Sequence, residues 1–546
     1  MNVFYQDAPG NPDLFRTDPA LQAELARRLP ESLRAAVLER CAALGVATSD
    51  ELPRLAMQAE AQPPQHVPYD AWGRRVDEIR TSPAWESLRV FSARNGLVAS
   101  GYDHSFGEHR RVVQAALLHL FSASSASYSC PLAMTDAAAR VLLDLAPASL
   151  RDRLVPGLTT TDPARFITSG QWMTERTGGS DVGNTETIAR PAGSDGDERR
   201  YTLHGVKWFT SATTSEMALT LARIDDGGAP PVPGSRGLSL FCVEISRVAG
   251  QGWRGITVHR LKDKLGTRAL PTAELTLEGA PATLIGEPGR GVANISGMLN
   301  VTRLYNAIAS ASGMHRACAL ARDYAARRGA FGRKLVDLPL HAATLADMES
   351  ETAAALALVM ECASLLGRSE AGVASEDERR RLRALIPLAK LTTAKQAVAT
   401  ASEALECFGG AGYVEDTGLP RLLRDAQVLS IWEGTTNVLS LDVLRAEAKD
   451  GSFSAVLKDM SRRAELLLAR PLDRGAVTAV REGVRGLVSA AQTAVQAGAA
   501  VLEESARKLA LRTGHVAEAL YLAGTAATDE VAAERFKRFA ALRFGA

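Results

Sequence analysis

The stretch RLLRDAQVLSIWEGTTNVLSLDVLR, Arg421 to Arg445, sets one carboxylate, Glu433, between Trp432 and Gly434. Removing a weakly acidic C–H proton needs a carboxylate whose pKa lies near neutrality, and exclusion of water moves it there. Trp432 can keep solvent out, and Gly434 lets the backbone bend closely around a substrate. A single Glu is more often a solvated surface carboxylate. The reading of this stretch therefore turns on what precedes it.

Two upstream segments bear on it. WMTERTGGSDVGNTET, Trp172 to Thr187, lies where the pattern changes from helix to sheet. Its glycines allow close backbone approach to a flat or anionic ligand, and Thr174 and Ser180 add hydroxyl groups. Alone, such a cluster reads equally as a turn. HGVKWFTSA, His204 to Ala212, begins a β-rich segment. Period-2 alternation puts Trp208 and Thr210 on one face of a strand, a stacking surface beside a hydroxyl. A buried core Trp beside a strand Thr is an equally good reading of that segment alone.

Taken together, MTERTGGSD, KWFTSA, RRGAFG (Arg327 to Gly332), ECFGGAGY (Glu406 to Tyr413) and IWEGTTN follow a known order and spacing. Over residues 90–450 the chain resembles the acyl-CoA dehydrogenase family. The resemblance implies α,β-desaturation of an acyl-CoA thioester, with FAD as cofactor and Glu433 as the base. It further implies that the Glu433 backbone N–H and a flavin ribityl hydroxyl polarise the thioester carbonyl. Residue by residue, Met173, Thr174 and Ser180 match the first FAD-contacting loop. Trp208, with Phe209 after it, matches the residue packed on the flavin, and Thr210 the one bonding near its N5. Arg328 matches an Arg that reaches a neighbouring subunit's FAD pyrophosphate, which implies a homotetramer. Gly409 and Gly410 match a backbone turn beside FAD, and Thr435 and Asn437 contacts after the base. Arg303, Trp432 and Gly434 are expected at the substrate. Each also has a plain reading: a helix C-cap at Gly409, an exposed Arg328, an N-cap at Thr435.

The departures point to one branch. Asn300 stands where the family usually has Asp, Glu406 where many members have Gln, and Ala330 where many have Thr; Pro339 replaces a frequent Gln. With YDAWGRRVDEIRTSPAW (Tyr69 to Trp85) and LKDKLGTR (Leu261 to Arg268), they resemble the AidB-like branch, with its long N-terminal segment and additional C-terminal helices. That branch keeps two alternatives open: a DNA-binding stress flavoprotein with little dehydrogenase activity, and a long-chain acyl-CoA binding protein.

The expected fold is α+β and mostly helical. It comprises an N-terminal helical domain (1–165), a β-barrel domain (166–285), a C-terminal helical domain (286–450) and an additional helical domain (451–546). Helical spacing from Leu21 to Leu44 breaks at Pro30, and Ser375 caps a helix with Asp377 and Glu378 in its first turn. DDGGAPPVPGSRG, Asp225 to Gly237, reads as a connector between strands.

With 63 Lys and Arg against 62 Asp and Glu, the net charge of +1 excludes a strongly nucleic-acid-coating chain and leaves a local basic patch open. The C-terminal arginines, Arg462 to Arg485, and the cluster Arg535, Lys537, Arg538 and Arg543 read as solvated helix faces in preference to a DNA surface. Six scattered cysteines without C-x-x-C spacing predict reduced thiols, no metal site and a cytoplasmic location. The start, MNVFYQDAPGNPDLF, lacks signal-peptide order, and no apolar run is expected to span a membrane.

Overall fold

The computed structural model describes residues 7–228, 230–248 and 252–545. The reading of the N-terminus as no leader falls in part on residues 1–6, outside those described. The chain divides into two compact units. One holds Arg54–Tyr102 and Ser125–Thr302; the other holds the chain up to Pro53, Asp103–Ser124 and the chain from Arg303 onward.

The first of these is built on a nine-stranded sheet. Following neighbours, Met217–Ile224 pairs with Ile188–Asp195, then Glu198–Ser211, then Thr272–Ile285. Leu238–Glu244 pairs with both Thr272–Ile285 and Met217–Ile224, so the path returns to its start as a barrel. LSLFCVE and MALTL are apolar without alternation because they are covered on both faces. Trp172, Leu203, Phe241, Val258, Leu275 and Leu277 fill the interior. Helices Pro83–Arg94, Ser129–Leu145 and Ala148–Leu158 belong to the same unit.

A hairpin of Gln65–Tyr69 with Arg75–Arg80 interrupts the region expected to be helical. Pro63, Pro64 and Pro68 conceal it in the sequence, since proline is tolerated only at strand edges and this sheet has nothing else. Asp77 ties it to the barrel. Its buried carboxylate accepts from Arg75 at 2.8 Å and from the Val258 N–H at 3.2 Å, while Arg75 donates to the Val258 carbonyl.

The second unit is helical. Pro19–Arg28 stops before Pro30, which opens Glu31–Ala47. Ser375 and Glu378 form a reciprocal capping box on Glu376–Cys407. Pro339–Glu370 corrects one expectation, since it is long and apolar enough to pass for a membrane span. The most apolar part of that helix is 89% buried, as befits a core helix. The last four long helices, Ser452–Leu466, Arg474–Gln496, Ala499–Ala526 and Glu530–Phe544, pack on this bundle. A Cβ on Gly514 would lie 1.9 Å from the Thr392 hydroxyl, so only glycine permits so close an approach of Ala499–Ala526 to Glu376–Cys407.

Candidate active site

Glu433 lies in the short turn between the helices Pro420–Leu429 and Thr436–Asp450. Its φ is +56°, in the left-handed region that side chains with a Cβ avoid, and Gly434 follows at +105°. Gly434 is required on two counts: its φ, and a Cβ there would stand 2.9 Å from the Leu439 side chain. Three long-range donors hold the turn through its carbonyls. Asn306 donates to the Leu429 carbonyl at 3.1 Å, Arg303 to that of Glu433 at 3.4 Å, and Lys390 to that of Gly434 at 2.6 Å. The Trp432 indole N–H donates to the Asn306 side-chain oxygen, so one asparagine fixes both the ring and the backbone beside it.

The charges are layered. Arg303 pairs with Asp442 at 2.7 Å, and Arg383 approaches the same carboxylate at 3.4 Å. Burial works to raise the Asp442 carboxyl, but the two guanidiniums outweigh it and hold it below its ordinary value. Burial pushes the Lys390 ammonium down to about 7; the charge of Glu433 opposes this and that of Arg303 adds to it. Lys390, Asn306 and Asp442 are absent from any motif-based reading. The one available signal for Lys390 is a cation inside the apolar run IPLAKL.

In the same unit, Tyr324 packs on Phe408 with ring centroids 5.2 Å apart. This brings the end of Ser296–Arg327, with Arg328 after it, to the turn at Gly409 and Gly410. Arg328 is exposed and carries no ion pair among the described residues. Gly409 has a φ of +60°, and no atom lies within 4 Å of a Cβ placed on it or on Gly410. An open backbone turn and a free guanidinium suit a pyrophosphate. Thr435 caps Thr436–Asp450 with its hydroxyl, and Asn437 accepts from Arg507 of Ala499–Ala526 at 2.8 Å.

The barrel unit carries the other expected cofactor residues. Met173 is buried, Thr174 half-buried and Ser180 exposed. The Thr174 carbonyl accepts the Trp208 N–H at 2.9 Å, which sets the loop against the strand. Glu175, which the sequence did not single out, secures that contact. Its carboxylate accepts from Lys207 at 2.7 Å, from the Glu186 N–H and from the Thr187 hydroxyl. Burial works to raise this carboxyl, yet these donors outweigh it and hold it below its ordinary value.

Strict alternation fails at Trp208. The pairing with Thr272–Ile285 shifts register between Thr210 and Lys207, where two residues, Trp208 and Phe209, face one. The bulge returns Thr210 to the buried side with Lys207, where its hydroxyl donates to the Ala273 carbonyl at 2.8 Å. Trp208 is half-buried with the Lys262 ammonium 3.5 Å from its ring centroid, and Phe209 is exposed. Trp208 and Thr210 therefore do not share a face.

Three family models match this chain. They are the acyl-CoA dehydrogenase C-terminal domain over residues 289–447, the acyl-CoA dehydrogenase middle domain over 170–280, and the adaptive response protein AidB N-terminal domain over 6–162. Acyl-CoA dehydrogenase family member 11 of Caenorhabditis elegans is 43% identical over 97% of this chain and 86% of its own length. AidB of Escherichia coli is 33% identical over 84% of this chain and 82% of its own. Among solved structures, Caenorhabditis elegans ACDH-11 in complex with C11-CoA superposes with a TM-score of 0.93 at 41% identity. That match covers all of this chain and 93% of ACDH-11.

Proposed function

The chain belongs to the acyl-CoA dehydrogenase family, in its AidB-like branch, and from that premise we propose that it desaturates an acyl-CoA thioester with Glu433 as base. The observation that carries this reading is the Glu433 turn. A carboxylate is set in a strained backbone conformation, and three separate helical side chains bind the carbonyls around it. Strain of this kind persists where the surroundings over-determine it, and such places are commonly active sites.

In the proposed reaction the Glu433 carboxylate takes the α-proton and the Glu433 backbone N–H binds the thioester oxygen, where charge develops. Trp432, fixed through Asn306, keeps water from the carboxylate, and Arg303 holds the turn. Bound FAD would supply the acceptor for the β-hydride. On the barrel unit, Met173, Thr174, Ser180, Trp208 and Phe209 would lie along its ring; on the helical unit, Arg328, Gly409 and Gly410 would hold the pyrophosphate of a neighbouring subunit's FAD. The acyl group is taken to be of medium length, by analogy with the C11-CoA bound to ACDH-11.

A homotetramer and a cytoplasmic location belong to the same proposal. Phe331, Leu340 and Tyr413 are 93%, 82% and 90% exposed on the helical unit, an apolar display suited to a second copy. The free thiols accord with a reducing compartment.

Anaerobic titration of the purified protein with acyl-CoAs of graded chain length tests the reading. Bleaching of the flavin is expected, and in Glu433→Gln its rate should fall about 10²–10⁴-fold with FAD retained. A spectral shift without bleaching across the whole series would replace catalysis by acyl-CoA binding alone.

A further inference from the structure

Lys390 sits mid-way along Glu376–Cys407 with no exposed surface. Lysine is among the residues least often fully buried, because its ammonium loses its hydration there. Here the ammonium points at the Gly434 carbonyl, 2.6 Å away, one residue beyond the base. The charged groups around it come from several elements. Glu433 lies on the turn and favours the ammonium, while Arg303 on Ser296–Arg327 opposes it. Asp442 on Thr436–Asp450 takes up Arg303 together with Arg383, a residue of Lys390's own helix. Arg303 shares Asp442 with Arg383 and also donates to the Glu433 carbonyl, so Arg303 and Lys390 hold successive carbonyls of the turn.

We propose that Lys390 is a positioning residue for Glu433: its ammonium fixes the left-handed turn through the Gly434 carbonyl and so sets where the carboxylate stands. The inference rests on the reading of Glu433 as base. Glu433 and Gly434 both have φ in the left-handed region, and a turn of that kind relaxes unless donors such as this one hold its carbonyls. Burial brings the ammonium's own titration down to about 7, so the charge that strengthens this hydrogen bond is itself sensitive to pH.

The test uses the holoenzyme and a 3-thia-acyl-CoA. The thioether acidifies the α-proton of this probe, and loss of that proton gives a long-wavelength charge-transfer band. Lys390→Met should speed amide hydrogen exchange of residues 433–435 and slow both band formation and flavin reduction about tenfold, with probe affinity little changed. Lys390→Gln keeps a donor for the carbonyl and should restore the slow exchange and most of the rate. Unchanged exchange in Lys390→Met, or no rescue by Lys390→Gln, would overturn the positioning role. If Glu433→Gln still forms the band at the wild-type rate, the base reading fails on its own account. Amide exchange then still decides whether Lys390 holds the turn.

Discussion

Glu433 and Gly434 both occupy backbone conformations that favour glycine, yet only one of them is glycine. A carboxylate there is held against its local preference by contacts made far away in sequence, from Arg303, Asn306 and Lys390. Gly434→Ala should break the arrangement, because the new methyl group would meet Leu439 and the φ of +105° is strained for any Cβ. A loss of about 1–3 kcal/mol in urea unfolding is expected. Unaltered stability would mean that the turn is softer than its contacts indicate. Glu433, Trp432 and Gly434 were legible because they are adjacent, and Arg303 through its resemblance to a family position. Lys390, Asn306 and Asp442 were not. Each sits on a helix face, and nothing local distinguishes a residue that reaches a turn from one that reaches solvent.

At the scale of elements, periodicity read the long helices well, including the break at Pro30 and the Ser375 cap. It failed where one residue of register matters. The bulge at Trp208 and Phe209 is decided by pairing with a strand some 60 residues later, which alternation within one strand cannot express. The hairpin Gln65–Arg80 failed for a related reason, since its partner contacts lie on the barrel at Val258. Another joint between elements carries a pH prediction. Asp18 at the cap of Pro19–Arg28 meets His119 of Arg110–Ser122 at 3.0 Å and His315 of Ser296–Arg327 at 3.3 Å. Burial lowers His315 from 6.5 to about 4; Asp18 opposes this, and His119, Arg316 and Arg535 add to it. Between those values the unfolded chain binds a proton that folded His315 refuses, so stability must fall as pH drops through the window. Asp18, also held below its ordinary value, adds its own loss only at lower pH. Thermal melts should show the decline from pH 6.5 to 4, and His315→Asn should flatten it. An identical slope in both proteins would remove His315 from the account.

For the molecule as a whole, 63 basic side chains stand against 62 acidic ones, but residues 451–546 carry 14 Lys and Arg against 10 Asp and Glu, an excess met in part by acids of the preceding bundle. Arg462 and Arg463 pair with Asp459 at 2.7 Å, and Arg463 also reaches Glu361 at 3.1 Å. Arg481 pairs with Glu465, Arg538 with Asp347 and Arg543 with Glu351, while Arg470 and Arg474 donate to backbone carbonyls. Arg463, Arg538 and Arg543 so fasten the last four helices to Pro339–Glu370 of the preceding bundle, while Arg470, Arg474 and Arg481 tie the C-terminal segments to one another. To neutralise phosphates they would first have to give up these partners. Duplex DNA should therefore not be retarded in a mobility-shift assay, even at low salt where phosphate contacts are strongest. Retardation that weakens steeply with added salt and disappears when Arg535, Lys537 and Arg538 are replaced by Ala would overturn this. The charge on that final helix would then serve a nucleic acid, with the pairing to Asp347 as the contact that must open.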